Sequence, residues 1–566
     1  MKKKRALSIL LAVSMTAVMA ACGSSSSGTS GTGAAETAAA DVEETGETQE
    51  EASGKTLTYW IDITSTANSS ISNFDDMYNW QVVQENLGID ISWQHPASGQ
   101  SNEQFNLMMT DNKLPDIIYY SWSDYPGGSA DAAIADGKII ALNNYLEEYA
   151  PNFYAYLQEH PDIAKEITTD EGNIYCFPMI YTVTPDDSET WQGVMNRAPI
   201  QESYEGLIIR KDLLDQAGMS LPVTLDDWYN ALVAFKKMGI EYPLSFAANF
   251  DTTSNSLASA FDVPLLNFGI SKDGSIEYGA VGEGYRSYLE FMNKLYSEGL
   301  LDPDFMVQDR ETCQSKIANG QVGAWIGRLP AELGTIEELV YANDPDSTFN
   351  AVGVANPVAE EGQELYYFQA SYPFRNAGAA ITTSCEDIET AMRLLDYSWG
   401  EEGDLLMNWG IEGESYVMVD GWPRLTDALI DTEAGTALSS VFSEYRMLNG
   451  PFAADHSNRI ATKTNYKLAE GETDKNLAAL DVWELNGTQP VGLPAITRLT
   501  SESSEYSTKY SEISTYASEM YSKFIFGTES LDNYDSYVDT VYSMGLDDVL
   551  EIQEAALDRY NARTFE

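Results

Sequence analysis

Cysteine and histidine are scarce in this chain. Its 566 residues include three histidines and four cysteines, Cys22, Cys176, Cys313 and Cys385. None of the cysteines lies in a CxxC or similar metal-binding spacing, and the histidines are widely scattered. These absences argue against a structural zinc site, a Cys–His nucleophile pair and a disulfide scaffold. We expect neither a metal nor a cofactor.

Basic residues are also few. The chain has 32 lysines and arginines against 88 aspartates and glutamates, which gives a formal net charge of −56. Because phosphate binding requires a basic face, nucleic acid is not an expected partner. The charge bears on solubility and surface repulsion rather than on the fold.

Long apolar runs are absent after residue 55, and none there could span a bilayer. The apolar run at 6–21 follows a basic start and ends in small residues, a pattern typical of a signal peptide. Residues 19–23, Met-Ala-Ala-Cys-Gly, resemble a bacterial lipobox, although Met19 stands where leucine is usual. This resemblance implies that Cys22 is lipidated and becomes the mature N-terminus. The alternative is an ordinary secreted protein in which Cys22 has no special role.

Residues 23 to 54 lack aromatic side chains and are rich in Ser, Gly, Thr, Ala and Glu. Such a segment cannot bury a core and is predicted to be a flexible tether. About 30 residues of this composition span roughly 30 Å on average. We therefore expect an exported protein on the extracellular face of the cell membrane, attached through a lipid anchor only.

Hydrophobic residues make up 43% of the chain, which suits a globular body with a real core. Within residues 204–238, the apolar run 207–209 predicts a buried strand, and Gly218 suits the end of a short helix. Thr224 and Asp227 have the spacing of a capping box at the start of a second helix. A strand followed by two helices in this order indicates an α/β fold.

This stretch resembles the extracellular solute-binding proteins (family 1, sugar and oligosaccharide type) of bacterial ABC importers. Many of them read Y-N-K-D-L-L…G…P-x-T-W-x-E here, and Arg210 stands where asparagine is common. Further segments resemble the family in the same order, so that the resemblance covers nearly everything after residue 55. They are residues 115–117, 137–146, 172–178, 295–304, 388–403, 408–416, 524–535 and 556–560.

The resemblance implies an α/β, type II periplasmic-binding-protein fold. Such a fold has two α/β lobes joined by a hinge, and the cleft between the lobes closes on a ligand. The expected organisation is a signal peptide at 1–21, a lipidated cysteine and tether at 22–54, the first lobe at 55–180 with a return at 356–405, and the second lobe at 181–355 and 406–566.

Aromatic and polar residues lie at the ends of two predicted strands, 56–61 and 114–120. In open α/β sheets, ligands bind at the carboxyl ends of the strands. Aromatic rings can stack on the apolar face of a sugar while polar groups bond its hydroxyls. The candidates are Trp60, Asp62, Thr64, Tyr120, Trp122 and Asp124. The alternative is a structural turn with half-buried aromatic side chains.

The resemblance implies further ligand-binding residues. In relatives, a strand leads through the hinge, a later loop supplies an aromatic platform, and a turn lines the cleft. An acidic sugar would also need a cationic partner. The residues at these places, and in the segment 408–416, are Tyr181, Phe250, Asp251, Arg328, Arg375, Trp409, Glu412 and Tyr416. For Arg328, a surface arginine is the alternative.

The acidic and irregular segment 183–203 is interpreted as a surface insertion. Its Asp186, Asp187 and Glu189 suggest a calcium loop, but their spacing fits none. This favours a solvated run of charges.

The resemblance implies capture and delivery rather than chemistry. The expected function is that of the lipid-anchored, monomeric substrate-binding component of an ABC importer, which hands a carbohydrate to permease subunits. An oligosaccharide is favoured over peptides and other polar solutes. Two alternatives remain: a surface glycoside hydrolase with paired carboxylates, and a glycan- or peptide-binding surface protein without a transport role.

Overall fold

The computed structural model describes residues 55–63, 71–111, 113–126, 128–185, 188–201, 203–430, 442–447, 449–455 and 475–565. The predictions for the leader, for Cys22, for the tether and for Thr64 lie outside these residues. Among the helices described, none is long and apolar enough to cross a membrane.

Residues 204–238 fold as the sequence predicts. The strand Glu205–Arg210 is buried at every residue, and the following helix ends at Gly218, which has a φ of +67°. Thr224 Oγ1 accepts a hydrogen bond from the Asp227 N–H at 3.1 Å, and Asp227 Oδ2 accepts one from the Thr224 N–H at 2.9 Å. Both halves of the predicted capping box are therefore confirmed.

The described residues form strands and α-helices in alternation. The strands are β1 (Lys55–Trp60), β2 (Ile89–Gln94), β3 (Ile117–Ser121), β4 (Phe177–Val183), β5 (Ala198–Pro199), β6 (Glu205–Arg210), β7 (Tyr242–Ser245), β8 (Phe268–Ile270), β9 (Ile276–Tyr278), β10 (Val322–Arg328), β11 (Ala351–Val354), β12 (Tyr367–Phe368), β13 (Phe374–Ile381), β14 (Tyr416–Val419), β15 (Trp422–Leu425), β16 (Ala453–Asp455) and β17 (Gln489–Pro490).

The helices are α1 (Tyr78–Leu87), α2 (Ser101–Met108), α3 (Ala130–Ala135), α4 (Leu146–Tyr149), α5 (Pro151–Glu159), α6 (Pro161–Ile167), α7 (Lys211–Ala217), α8 (Leu225–Met238), α9 (Phe250–Ser254), α10 (Glu283–Ser297), α11 (Arg310–Ala318), α12 (Gly334–Asn343), α13 (Ile388–Tyr397), α14 (Glu401–Trp409), α15 (Asp427–Ile430), α16 (Lys475–Trp483), α17 (Thr500–Phe526), α18 (Tyr534–Ser543) and α19 (Leu546–Ala562).

The first sheet has the strand order β16-β4-β13-β3-β1-β2, and β5 pairs with β4. Strands β1, β2, β3, β4 and β16 run in the same direction, whereas β13 runs antiparallel to both of its neighbours. The carboxyl ends of five strands therefore lie at one edge, which we call the first-lobe edge.

The second sheet has the order β11-β6-β10-β7. Strand β6 runs antiparallel to β10 and β11, and β10 runs parallel to β7. Arg328 at the end of β10 is paired with Glu205 at the start of β6. The edge that holds this pair also contains the carboxyl ends of β7 and β11, and we call it the second-lobe edge.

The chain passes between these two edges more than once. Residues 184–204 run from the end of β4 to the start of β6, and residues 355–373 run from the end of β11 to the start of β13. Ser203 Oγ in the first connection donates a hydrogen bond to the Gln369 carbonyl in the second at 2.8 Å. The first-lobe and second-lobe edges therefore meet at the same pair of crossings, as expected for two α/β lobes around a cleft.

Each sheet has its own hydrophobic core. The first contains Phe105 and Trp122, and the second contains Trp228 and Trp325. A third, smaller cluster consists of Trp409, Tyr416, Leu425, Leu429 and Phe442. All described elements nevertheless belong to one compact unit, Ser53–Glu566.

The division between the sheets differs from two of the expected lobe boundaries. Strand β4 continues to Val183, beyond the expected boundary at residue 181. Within 406–566, which was expected in the second lobe, β16 instead pairs with β4 in the first sheet, with Ala453 opposite Ile180. Helices α17 and α19 do contribute to the second core, through residues such as Tyr521 and Val549.

Candidate ligand-binding site

The first-lobe edge brings together acidic and aromatic side chains from strands that are distant in sequence. Asp62 follows β1, Asp124 follows β3, Tyr181 lies in β4, and Asp455 ends β16. Asp124 is exposed, Asp62 and Tyr181 are half-buried, and Asp455 is buried. Three residues predicted from the sequence thus lie at one edge, where open α/β sheets bind ligands.

The predicted aromatic residues of the first lobe belong mainly to its core. The Tyr120 ring stacks on Phe105 with 3.6 Å between centroids, and its hydroxyl donates a hydrogen bond to Asn102 at 2.9 Å. Trp60 is buried 6.1 Å from Tyr120. Trp122 is fully buried, and its indole N–H donates to the Gly378 carbonyl at 3.2 Å. We expected sugar-stacking rings here, but the structure uses these side chains for packing, so the structural alternative applies.

Asp62 is held in a partly desolvated position. Its backbone carbonyl accepts a hydrogen bond from the Asn449 side chain at 3.0 Å. Burial raises the pKa of the Asp62 carboxyl, while the Ile63 N–H and nearby His95 oppose this shift. Burial also lowers the pKa of His95, whose Nδ1 contacts the Ile61 carbonyl at 2.8 Å. A polar ligand at this edge would therefore meet a half-buried carboxyl group.

The second-lobe edge holds an arginine in a fixed position. Arg328 Nε donates a hydrogen bond to the fully buried Glu205. Its guanidinium lies 4.7 Å from the ring centroid of Phe250 and 5.8 Å from that of Tyr204. Glu205 also accepts a bond from Thr253 Oγ1 at 2.7 Å. Burial raises the pKa of Glu205, and Arg328 and Thr253 counteract this rise.

Arg328 remains accessible, since 33% of its side chain is exposed. Its terminal amino groups make no hydrogen bond to another described side chain or carbonyl. Two donors in a planar arrangement therefore face solvent beside the buried ring of Phe250. The structure thus brings together Arg328 and Phe250, two of the residues predicted for the second lobe.

Asp251 lies next to Phe250 but is buried away from this edge. Its Oδ2 accepts hydrogen bonds from the hydroxyls of Tyr288, at 3.3 Å, and of Tyr521. Desolvation raises the pKa of Asp251 to about 7, although the Thr252 N–H and the Tyr288 hydroxyl oppose this. The sequence suggested a ligand contact, but the structure shows a carboxyl group that joins α9 to α10 and α17.

The last group of predicted residues is not assembled at either edge. Trp409 and Tyr416 are buried in the third cluster with their ring centroids 6.4 Å apart, while Glu412 is exposed. Arg375 lies in β13, and its side chain lies outside the described part of the structure.

Trp191 is a residue of the first-lobe edge that the sequence analysis missed. Its indole N–H donates a hydrogen bond to Asp455 Oδ2 at 2.5 Å, and the Arg197 guanidinium lies 5.1 Å from its ring centroid. The segment 183–203 had been interpreted as a solvated surface insertion. A tryptophan and an arginine six residues apart within an acidic segment were the available signal, since neither suits a purely solvated loop.

The metal-ligating and thiol side chains of the described residues are dispersed or buried. These residues include no group of three or more His, Cys, Asp or Glu side chains that could hold a metal ion. Cys176, Cys313 and Cys385 are buried as free thiols, and burial raises the pKa of each. Asp186 and Asp187, considered above for calcium, lie outside the described residues.

The family of the protein is shown by its sequence. Residues 71–404 match the family described as bacterial extracellular solute-binding protein, and this match covers more than half of the chain. The chain therefore belongs to the bacterial extracellular solute-binding proteins, as the sequence motifs indicated.

Two curated relatives extend over most of the chain. The fructooligosaccharide ABC transporter substrate-binding protein FusA of Streptococcus pneumoniae is 24% identical over 422 residues, which is 72% of this chain and 70% of the relative. Lipoprotein LipO of Bacillus subtilis is 23% identical over 397 residues, which is 66% of this chain and 70% of the relative.

Solved structures share the fold. The alginate-binding protein AlgQ2, solved without calcium ion, superposes with a TM-score of 0.69 at 19% identity, covering 90% of this chain and 99% of AlgQ2. FusA from S. pneumoniae in complex with kestose gives a TM-score of 0.68 at 19% identity, covering 90% of this chain and 100% of FusA. The two-lobed α/β fold is thereby confirmed.

Proposed function

We propose that this protein is the substrate-binding component of an ABC importer. It captures a carbohydrate, an oligosaccharide, between the first-lobe and second-lobe edges and delivers it to the membrane permease as a monomer. The observation that carries this proposal is the meeting of both edges at the same two crossings, with Arg328 and Phe250 on one side and Asp62 and Asp124 on the other. FusA, a fructooligosaccharide-binding protein by its name, supports the choice of ligand class.

The chemistry of the second-lobe edge favours hydroxyl groups over carboxylates as ligands. The charge of Arg328 is already balanced by the buried carboxylate of Glu205. Its free terminal N–H groups can still donate to sugar hydroxyls in a bidentate arrangement. An acidic sugar would gain less from this paired arginine than from an unpaired one, so we favour a neutral oligosaccharide.

The use of the buried carboxyl groups supports binding without bond cleavage. A glycoside hydrolase needs two carboxyl groups flanking one glycosidic bond. Glu205 is engaged with Arg328, Asp455 with Trp191, and Asp251 with two tyrosines. These groups hold side chains in place, which suits a binding protein.

A thermal-shift screen tests the proposal. The compact unit Ser53–Glu566 would be melted with and without kestose, raffinose, maltotriose, trigalacturonate, their monosaccharides and a set of short peptides. A ligand that binds only the folded form stabilises it by about 2.7 kcal/mol at 100 times its Kd. We expect a rise in Tm with a neutral oligosaccharide and no cleavage products after overnight incubation. Cleavage of the oligosaccharide would contradict the proposal of a binding protein in favour of a hydrolase. A rise in Tm with peptides alone would contradict the proposal that the ligand is a carbohydrate.

The same screen, repeated with the Arg328→Gln variant, tests whether the second-lobe edge binds the oligosaccharide. Loss of the guanidinium fork should weaken oligosaccharide binding by about tenfold or more, because charged hydrogen-bond donors contribute about 1.5–3 kcal/mol each. Arg286→Gln is the matched control: 33% of the Arg286 side chain is exposed, and its guanidinium pairs with Glu290 and lies 5.7 Å from the ring centroid of Tyr534. Equal affinities for the two variants would contradict the assignment of the second-lobe edge.

Lipid anchoring is a separate part of the proposal. The lipobox-like residues at Cys22 and the aromatic-free tether support attachment to the extracellular face of the cell membrane. In cells expressing the full chain, Cys22→Ser should move the protein from the membrane fraction to the medium or the soluble periplasm and remove its lipid by mass spectrometry. Cys385→Ser serves as the control. A Cys22→Ser protein that stays in the membrane fraction would refute the anchor.

A further inference from the structure

Trp191 and Trp422 are unusual among the tryptophans of this protein. All eleven tryptophans lie in the described residues, and the other nine are buried. Trp191 and Trp422 are both half-buried. Trp422 lies in the β14–β15 hairpin, where its indole N–H donates to the Glu189 carbonyl at 3.0 Å. Trp191 lies beside this hairpin and reaches the first-lobe edge through the hydrogen bond of its indole N–H to Asp455.

The orientation of Trp191 is fixed from several sides. Its indole N–H donates to Asp455 Oδ2 at 2.5 Å, and its backbone N–H donates to the Gly421 carbonyl at 3.0 Å. The guanidinium of Arg197, which is fully buried, lies over the ring at 5.1 Å from the centroid. The indole also packs against the third cluster, so the ring is held from more than one side and only part of it is accessible.

The support beneath Trp191 is itself rigid. Arg197 makes two hydrogen bonds of 2.7 Å to the two oxygens of Asp404, and neither side chain is exposed. Its Nε donates to Thr182 Oγ1 at 2.9 Å, and Nη2 donates to the Ala453 carbonyl at 3.0 Å. Burying such a pair has a large desolvation cost, which complete hydrogen bonding offsets. The arginine and its partners therefore form a pre-organised base for the ring.

The position of this ring coincides with the proposed binding edge. Thr182, which bonds Arg197, lies in β4, and Asp455, which bonds Trp191, lies in β16. A fixed and partly accessible aromatic ring is a group on which the apolar face of a sugar can stack. Fixing the ring in advance also reduces the entropy lost on binding.

We propose, on the basis of the proposed function, that Trp191 stacks against one ring of the bound oligosaccharide, and that Arg197 and Asp455 are positioning residues for it. Trp191 then forms a first-lobe contact that is distinct from Arg328 and Phe250 of the second lobe. The ligand is therefore contacted from both lobes, and the Trp191 contact contributes to selection for glycans.

A glycan array tests this inference. The array carries neutral, acidic and amino oligosaccharides and is probed with the compact unit Ser53–Glu566 and with its Trp191→Ala variant. For the glycans that the wild type binds, the affinity of the Trp191→Ala variant should be lower by about tenfold or more. Trp191→Phe should retain most of the affinity, since the stacking face remains. Tyr542→Ala, which removes a partly exposed aromatic ring of α18, should bind like the wild type.

Fluorescence separates stacking from a structural role. If Trp191 contacts the sugar, the change in tryptophan emission on adding the best array glycan should largely disappear in Trp191→Phe but persist in Trp422→Phe. Melting of each variant without glycan shows whether it is folded. Unchanged glycan binding by a folded Trp191→Ala variant would overturn this inference alone. Absence of glycan binding by the wild-type protein would overturn the proposed function and this inference with it.

Discussion

Asp251 shows how burial changes the behaviour of a single carboxyl group. It is enclosed by α10 and α17, whose Tyr288 and Tyr521 hydroxyls donate to it, and Glu205 on β6 adds a nearby like charge. Desolvation is the largest influence and raises the pKa of Asp251 to about 7. Folding therefore favours the protonated form of this group.

The pH dependence of stability follows from this shift. An acid whose pKa is higher in the folded state contributes stability that is fully present below about pH 4 and is lost as the pH rises towards 7. Each pKa unit corresponds to about 1.4 kcal/mol, so the loss is at most a few kcal/mol. Asp251→Asn keeps a neutral group at this position and should flatten this part of the profile.

Urea unfolding at intervals from pH 4 to 8 measures this effect. As the pH rises from 4 to 7, the free energy of unfolding of the Asp251→Asn variant should increase relative to that of the wild type. Above pH 7 the difference should stay constant. Asp215→Asn, which alters an exposed carboxylate paired with Lys211, is the control. A difference that stays constant over the whole range would contradict the raised pKa.

Single residues were predictable from sequence where their role depends on near neighbours. Thr224 and Asp227 are three residues apart, and their spacing alone predicted the capping box. Trp122 and Asp251 were proposed as ligand contacts because they follow strands or resemble a family loop. Whether such a side chain is buried depends on Gly378 and Tyr521, which are distant in the sequence.

Secondary-structure elements were predictable when their patterning is strong. The apolar run 207–209 predicted β6, which lies in the middle of the second sheet and is buried at every residue. Strand β16 has only three residues, Ala453–Asp455, and no alternating pattern. It is a strand because it pairs with β4, some 270 residues earlier, and forms the far edge of the first sheet. No local sequence pattern predicts such a pairing. For this reason the boundary expected at residue 406 assigned β16 to the second lobe, whereas β16 belongs to the first sheet.

The segment between β4 and β6 illustrates the same limit at the site. Its acidic composition suggested a solvated insertion. In the structure, Arg197 from this segment is buried against Asp404 of α14, and Trp191 bonds Asp455 of β16. The charges of Arg197 and Asp404 are more than 200 residues apart, so composition could not show that they neutralise each other in the core.

At the scale of the whole molecule, the C-terminal helix α19 connects the two cores. Its inner face belongs to the second core, through Val549 and Tyr560. Its end reaches Asp170, which follows α6 of the first core: Arg559 and Arg563 donate to the two Asp170 oxygens at 2.9 and 2.7 Å. The Tyr560 hydroxyl also donates to Glu166 in α6. The two lobes are thus joined by an ionic cluster as well as by the connections at 184–204 and 355–373.

This cluster should contribute measurably to the stability of the whole protein. The side chains of Asp170 and Arg563 are only 7% and 2% exposed, so removing the charge of Asp170 leaves the buried Arg563 guanidinium without its carboxylate partner. We expect Asp170→Asn to lower the free energy of unfolding by about 2 kcal/mol, a value reduced from that of a fully buried pair because Arg559 is partly exposed. The exposed pair Lys211–Asp215 provides the comparison, and Asp215→Asn should cost less than about 0.5 kcal/mol. Urea unfolding of both variants at pH 7 measures the difference.

Equal stabilities of the two variants would mean that the chain connections and the apolar contacts of α19 hold the lobes together without the ionic cluster.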